Sequence, residues 1–314
     1  MKAKIGILTI VAIVLIAIFM SIDASGNWDY VLPRRLKKIL AIVLTGAIIA
    51  FSTLVFQTIT NNRILTPSII GLDSLYMFIQ TFVIFIFGST HMTLMNKNVN
   101  FLISAGLMVL FAGLLYKWLF KREGQNIYFL LLIGLIFGTL FNSLSTFMQV
   151  LIDPNEFQVV QDKMFASFNN VNTDLLVISF VLVIAVAVYF WRYMKYLDVL
   201  ALGRDQAINL GVPYDFVVKR FLIIIAILVS IATALVGPIT FLGLLVVNLA
   251  HQVMKTYQHK YLIVGSVLIS IVSLVGGLLI VERVFTFSTT LSVIVNFIGG
   301  VYFIYLLLKE NKSW

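Results

Sequence analysis

The residues able to do chemistry in this chain are few and scattered. Its three imidazoles, His91, His251 and His259, lie too far apart in sequence to read as a metal cluster. Cysteine is absent, which removes thiolate metal sites, disulfides and cysteine nucleophiles together. No G-x-x-x-x-G-K-[ST] loop occurs, so ATP has no phosphate cradle of that type here. No nucleophile-and-base arrangement stands out. Two acids mark the ends of apolar runs: Asp73 near the start of one, and Glu282, beside Arg283, at the end of another. Asp73 could serve as the coupling carboxylate of an ion-driven transporter, because such proteins carry ionisable groups inside the membrane. The plainer reading is an acid complementing a helix start. The inventory points away from an enzyme. Neither a metal nor a bound cofactor is expected.

One short segment stands apart. Residues 202–215 read LGRDQAINLGVPYD. Gly203 and Gly211 bracket roughly two turns of helix, with Gly211 suited to a left-handed C-terminal position. Pro213 stops continuation. Leu202, Ala207 and Leu210 could form an apolar face, while Arg204, Asp205, Gln206 and Asn209 offer charge and hydrogen bonds. A short rigid helix held against a membrane is a mechanical contact for a cytosolic partner. The alternative is an interfacial helix with no partner.

The elements that position these residues are membrane spans. The chain of 314 residues is 61% hydrophobic and 11% charged, with mean hydropathy +1.05. Soluble domains carry about 25% charged residues, so lipid must be the solvent for most of this surface. The expectation is an all-α polytopic membrane protein forming one transmembrane domain over residues 1–314. Candidate spans are 5–22, 39–59, 69–88, 100–119, 127–149, 173–193, 220–236, 240–253, 261–281 and 289–308, ten in all. The first has a basic start but is long enough to span, so it reads as a retained helix rather than a signal peptide.

Orientation follows from the cations. With the N-terminus inside, the outer segments hold Arg34, Arg35, Lys37, Lys38, Lys97, Lys163 and Arg283, and the other fifteen of the 22 lysines and arginines fall inside. That bias supports both termini inside. It also explains the net charge of +9 without nucleic acid. Trp28, Trp118, Trp191 and Trp314 fall near predicted interfaces. The segment 202–215 then lies in the longest inner loop. The longest outer loop, about 150–172, sets Asp153, Glu156 and Asp162 against Lys163. The outer cluster Arg34, Arg35, Lys37 and Lys38 breaks the positive-inside pattern. It could meet an acidic face of a docking protein or anchor on lipid phosphates.

With these residues placed, LGRDQAINLGV resembles the cytoplasmic coupling segment of the FecCD-type permeases, whose usual form is L-G-x-x-x-A-x-x-L-G-V. Leu202, Gly203, Ala207, Leu210, Gly211 and Val212 match. RLKKILAIVLTGAIIAFSTLVFQTITNNRILTPSIIG (35–71) is similar to the family's R-L-P-R…G-x-x-L-x-x-S-G-x-x-x-Q…N-P-L-A-x-P-x-x-x-G run. Arg35, Lys38, Gly46, Ser52, Gln57, Asn62, Pro67 and Gly71 fall in the matching places. GPITFLGLLVVNLAHQ (237–252) and TTLSVIVNFIGGVYFIYLLLK (289–309) resemble two further family segments. Family prolines are replaced by Lys37, Arg63, Val247, Thr290 and Val301, and the common Pro-His pair is Val247–Asn248.

The resemblance implies a ten-helix permease of the vitamin B12 importer type in the bacterial cytoplasmic membrane. It implies two separate ATPase subunits, using ATP with Mg, that dock on a coupling segment of about 198–213. It further implies an extracytoplasmic binding protein, periplasmic or lipid-anchored, and a second permease across a two-fold axis. TPSIIGLDSLY and FLGLLVVNLAHQVMKTYQHKYLI look most like the branch serving catecholate or petrobactin-type ferric siderophores, in which the second permease is commonly a different chain. Glycines such as Gly46, Gly71 and Gly243 are expected where helices pack closely.

Overall fold

The computed structural model describes residues 1–22, 28–94, 97–119, 127–169, 171–285 and 290–310. Lys121, Arg122, Thr289, Lys312 and Trp314 lie outside these, as do the side chains of His91 and Lys309. Among the described residues the regular structure is helical throughout. The helices are α1 (Lys2–Ser21), α2 (Trp28–Thr60), α3 (Leu72–Leu94), α4 (Lys97–Leu119), α5 (Ile127–Leu151), α6 (Pro154–Met164), α7 (Thr173–Trp191), α8 (Leu197–Leu200), α9 (Arg204–Asn209), α10 (Tyr214–Val236), α11 (Leu242–Met254), α12 (His259–Arg283) and α13 (Leu291–Glu310). Seven are long and apolar enough to cross a bilayer, and shorter apolar helices occupy Leu72–Gly88, Leu242–Met254 and Leu291–Tyr305. These ten coincide with the ten expected spans.

The boundaries differ for physical reasons. α2 begins at Trp28 rather than 39, so the basic cluster sits on a helix instead of in a loop. α10 begins at Tyr214 rather than 220, immediately after Pro213. The outer loop contains α6, which the hydropathy reading left out because its sequence is polar. Its start is well signalled: Asp153 Oδ1 accepts from Asn155 N at 2.9 Å, and Pro154 takes the first helical position. Near the expected end of the third span, Gly88 departs from helical geometry with φ 74° and ψ 162°.

α2 and α10 form the centre: 72% of the most apolar window of each is buried, against 11% for α1. α1 therefore lies at the edge, its exposed Ile7, Ile10 and Ile13 facing lipid. Small residues set the closest contacts. After α2 the chain turns through Asn61, forms a single 3-10 turn at Pro67–Ile70, and reaches Gly71 at φ 85°. That turn lies on the Gly134–Gly138 face of α5, where a Cβ on Gly134 would come within 2.8 Å of Ile70 Cα. A Cβ on Gly46 would stand 2.7 Å from Ser270 Oγ, and one on Gly243 would collide with Thr53. Gly46, Gly71 and Gly243 thus occupy close contacts, as expected. Polar side chains between α3 and α4 satisfy one another: Gln80 Nε2 donates to Asn100 Oδ1 at 3.0 Å and to Ser104 Oγ at 2.8 Å.

Candidate coupling segment and transport face

The segment between α7 and α10 folds as a 3-10 turn at Met194–Tyr196 followed by α8 and α9, and between those two helices Gly203, with φ 98°, turns the chain. α9 ends in a complete Schellman arrangement. Gly211 N donates to Ile208 O at 2.9 Å, Val212 N donates to Ala207 O at 3.0 Å, and Gly211 has φ 82°. Ala207 and Val212, the two positions whose apolar side chains accompany this motif, are both buried. The left-handed role expected of Gly211 is the one it plays.

The expected apolar face is divided. Ala207 is fully buried against the permease, whereas Leu202 is 56% and Leu210 64% exposed. Ile208, which the sequence reading passed over, joins them at 45%. Inward Ala207 and Val212 hold the segment down; outward Leu202, Ile208 and Leu210 leave an apolar patch on its exposed side. Arg204 and Asp205 are exposed beside that patch, with the Arg204 guanidinium 5.7 Å from the Tyr214 ring.

The outer basic cluster lies on the first turns of α2. Arg35 Nη1 donates to three carbonyls, Phe19 O at 2.9 Å, Met20 O at 3.1 Å and Ile22 O at 2.6 Å, and so closes the C-terminus of α1. Lys38 Nζ pairs with Glu282 Oε1 at 2.9 Å. The Arg34 guanidinium lies over Tyr30, 4.1 Å from the ring centre. Together with Lys37, Lys97 and Arg283, these residues line an open cup of about 830 Å³ at this end of the helix bundle. On α6, burial pushes the Lys163 ammonium below its usual range, and neighbouring Lys97 adds to the shift.

Asp73 is held inside the helix bundle. It accepts a hydrogen bond from Thr233 Oγ1 at 3.1 Å. The small cavity beside it, about 20 Å³, is lined in part by the hydroxyls of Thr53, Thr66, Ser68 and Thr240. This arrangement staples the start of α3 to α10. An Asp73→Asn variant keeps an oxygen that can accept from Thr233. It is expected to retain uptake within about twofold, the scale of a weakened neutral hydrogen bond, with an unchanged pH profile. Uptake measured across pH checks this; loss of uptake in a well-expressed, folded variant would make the carboxylate a proton carrier instead.

A further feature escaped the sequence reading. Thr139, Asn142, Ser143 and Thr146 are all exposed on α5. Their spacing is i, i+3, i+4, i+7, one helical face. The signal was available in the sequence but is hard to separate from background in a helix otherwise so apolar. Thr139 and Thr146 return their hydroxyl protons to the backbone, to Leu135 O and Asn142 O, both at 2.9 Å. The face nonetheless remains more polar than lipid favours.

The FecCD transport family matches residues 2–309. The petrobactin import system permease protein YclO of Bacillus subtilis (strain 168) is 69% identical over 313 residues, covering 100% of this chain and 99% of that protein. The petrobactin import system permease protein FatC of Bacillus anthracis is 37% identical, covering 91% of this chain and 81% of that protein. Among solved structures, a metal-chelate type ABC transporter in an inward-facing conformation superposes with TM-score 0.85 at 22% identity, covering 98% of this chain and 99% of that one. That likeness concerns the fold. The helical architecture and the family match agree along nearly the whole length, and the chain belongs to the FecCD transport family as a multi-pass membrane permease of a bacterial ABC importer, not itself the catalytic subunit.

Proposed function

We propose that this permease imports a petrobactin-type ferric siderophore, as one of two different permease chains in the transporter. One observation carries the substrate: the end-to-end 69% identity with a petrobactin import permease. The second chain is favoured by another relative. Bacillus subtilis (strain 168) has a further petrobactin import system permease protein, YclN, which is only 25% identical to this chain. This chain therefore resembles one member of that pair far more than the other. In the proposed assembly the polar face of α5 lines the path between the two permeases. A pair of ATPase subunits docks from the cytosol on residues 198–213, with Leu202, Ile208 and Leu210 entering a groove and Arg204 and Asp205 at its rim. ATP and Mg belong to those partners. Gly203, Ala207, Gly211 and Val212 set the shape and height of the contact. The test is uptake of labelled ferric petrobactin by reconstituted vesicles containing both permeases, the ATPase and the binding protein. Uptake that requires ATP, survives an uncoupler and exceeds uptake of a ferric hydroxamate supports the reading. Equal uptake of both chelates, or uptake driven by an ion gradient alone, overturns it.

Docking of the binding protein on the outer cup is the second element. Arg35 and Lys38 hydrogen-bond within the permease, whereas Arg34 lies over the Tyr30 ring, a contact that leaves its charge uncompensated; Arg34 and Lys37 are therefore the members of the cluster best placed to meet an acidic face. Exposed charge pairs act chiefly on association rate and on its salt dependence. Neutralising Arg34 and Lys37 is expected to slow docking about tenfold at low salt and to flatten its salt slope, with dissociation little changed. A salt slope identical to that of the unaltered protein would leave these cations to the lipid headgroups.

A further inference from the structure

We propose that Asp198, His259 and Thr58 form the joint through which movement of the coupling helix α9 reaches the α2–α12 pair. They are positioning residues for transport. Asp198 lies on α8, immediately before α9; His259 is the first residue of α12; Thr58 lies in the last turn of α2. Three separate chain segments meet at one imidazole. His259 Nδ1 is 2.6 Å from Asp198 Oδ1, and the same oxygen accepts from His259 N at 2.9 Å. On the other side of the ring, Nε2 is 2.8 Å from Thr58 Oγ1.

The Asp198 carboxylate accepts, so Nδ1–H donates to it, and a hydrogen bond to a carboxylate is stronger and more directional than one between neutral groups. Thr58 Oγ1 is also 2.8 Å from Leu54 O, so the hydroxyl ties the ring to the last turns of α2. The imidazole is buried, while the Asp198 side chain is half exposed on the cytoplasmic side. One end of the link therefore lies within reach of what happens at the surface, and the other is fixed in the core.

What the link attaches to gives it its purpose. α2 and α12 are pinned to each other at three levels. Lys38 and Glu282 pair at the outer end, Gly46 lies against Ser270 in the middle, and Thr58 and His259 bond at the inner end. A pair joined in this way moves as one strut, from the outward cup to the cytoplasmic surface. α8 is seated on α2 by Leu197 and Leu200, both buried. Those apolar contacts permit sliding; the Asp198–His259 pair gives the seat a fixed register. The cytoplasmic cup of about 540 Å³ beside it is lined by Arg63, His251 and Lys255 as well as by Thr58 and His259.

This inference rests on the coupling-segment reading, and the experiment separates the two. The assembled transporter, with ATPase, second permease and binding protein, is reconstituted carrying Asp198→Asn, His259→Ala, Thr58→Val or Thr58→Ser. Three quantities are read: ATPase co-purification, ATP hydrolysed, and chelate imported per ATP. Co-purification should be unchanged, because the outward apolar patch is intact. Import per ATP should fall about tenfold in His259→Ala and Thr58→Val, the scale of a lost buried hydrogen bond. Thr58→Ser, which keeps the hydroxyl, should restore it, and Asp198→Asn should fall between. Thr58→Val and Asp198→Asn preserve side-chain shape and keep the test usable if His259→Ala does not assemble. Unchanged import per ATP, a Thr58→Ser defect as deep as that of Thr58→Val, or loss of the ATPase together with transport would each overturn the proposal. Absence of ATPase from the unaltered permease would count against the coupling segment instead.

Discussion

Replacing Leu202, Ile208 and Leu210 together by alanine is expected to abolish import while leaving an intact protein in the membrane. The three side chains are exposed in the isolated chain, so truncating them removes nothing from the core. Burial of one leucine is worth about 1.5–3 kcal/mol, and each 1.4 kcal/mol is tenfold in affinity. Leu210→Ala alone should weaken ATPase docking about tenfold, and the triple variant by about a thousandfold if the contributions add. Gly211→Val should reach a similar end by a different route. At φ 82° a β-branched residue is strongly disfavoured, although nothing stands within 4 Å of the position a Cβ would take. The damage there is to the backbone turn that sets α9, not to packing. Both variants should still bind the loaded binding protein, because the outer cup is untouched. Co-purification of the ATPase and chelate-stimulated hydrolysis are the measurements; full association and full transport in both variants would remove residues 202–212 from the coupling role.

The spans were legible in the sequence because lipid leaves the chain little choice. An apolar stretch of about 20 residues can satisfy its backbone only as a helix. The errors arose where that constraint ends. α2 runs past its apolar window to Trp28, since hydropathy measures the thickness of hydrocarbon and not the length of a helix. α6 is polar and lies outside the lipid, so only its Asp153–Pro154 start could have revealed it.

The candidate site was legible in part. The glycine bracket and the family match located α9, but six helical residues are too few for periodicity to say which side faces out, and Ala207 was grouped with Leu202 and Leu210. The outer cations were visible as a cluster. That Arg35 would be spent on the end of α1 was not, because carbonyls leave no mark in a sequence. The joint at His259 was the least legible. Asp198 stands 61 residues from His259, and Thr58 stands 201. No periodicity or motif connects them, and the histidine read as one of three isolated rings.

Gly243→Val is expected to destroy the folded protein, which would make it the most damaging single substitution in the membrane core. α11 is a helix of 13 residues, and its first turn lies directly on α2. A Cβ at Gly243 would overlap Thr53 Oγ1, with Thr53 Cβ at 2.9 Å and Cγ2 at 3.2 Å. Thr53 cannot yield. It is 1% exposed, flanked by buried Leu54 and Val55, and its branched side chain is held to few rotamers in a helix. α11 would have to move off α2 as a body, which would also strain Asn248 Nδ2 where it donates to Arg63 O at 3.0 Å. Overpacking a well-filled core costs about 1–3 kcal/mol when neighbours can adjust, and more is expected here. Gly243→Ala should be destabilised in the same direction by less. Thr53→Ala should recover part of that loss, because it removes Oγ1 and Cγ2 but leaves Cβ. The coupling between the two substitutions is therefore favourable and incomplete. Gly276 supplies the control: it lies inside α12 with nothing within 4 Å of an added Cβ, and alanine there should be neutral or slightly stabilising through helix propensity. Thermal unfolding of the purified permease and its yield in the membrane give the ranking. Gly243→Val as stable as the unaltered protein, or Thr53→Ala without effect on Gly243→Ala, would show that α11 does not rest on α2 at this contact.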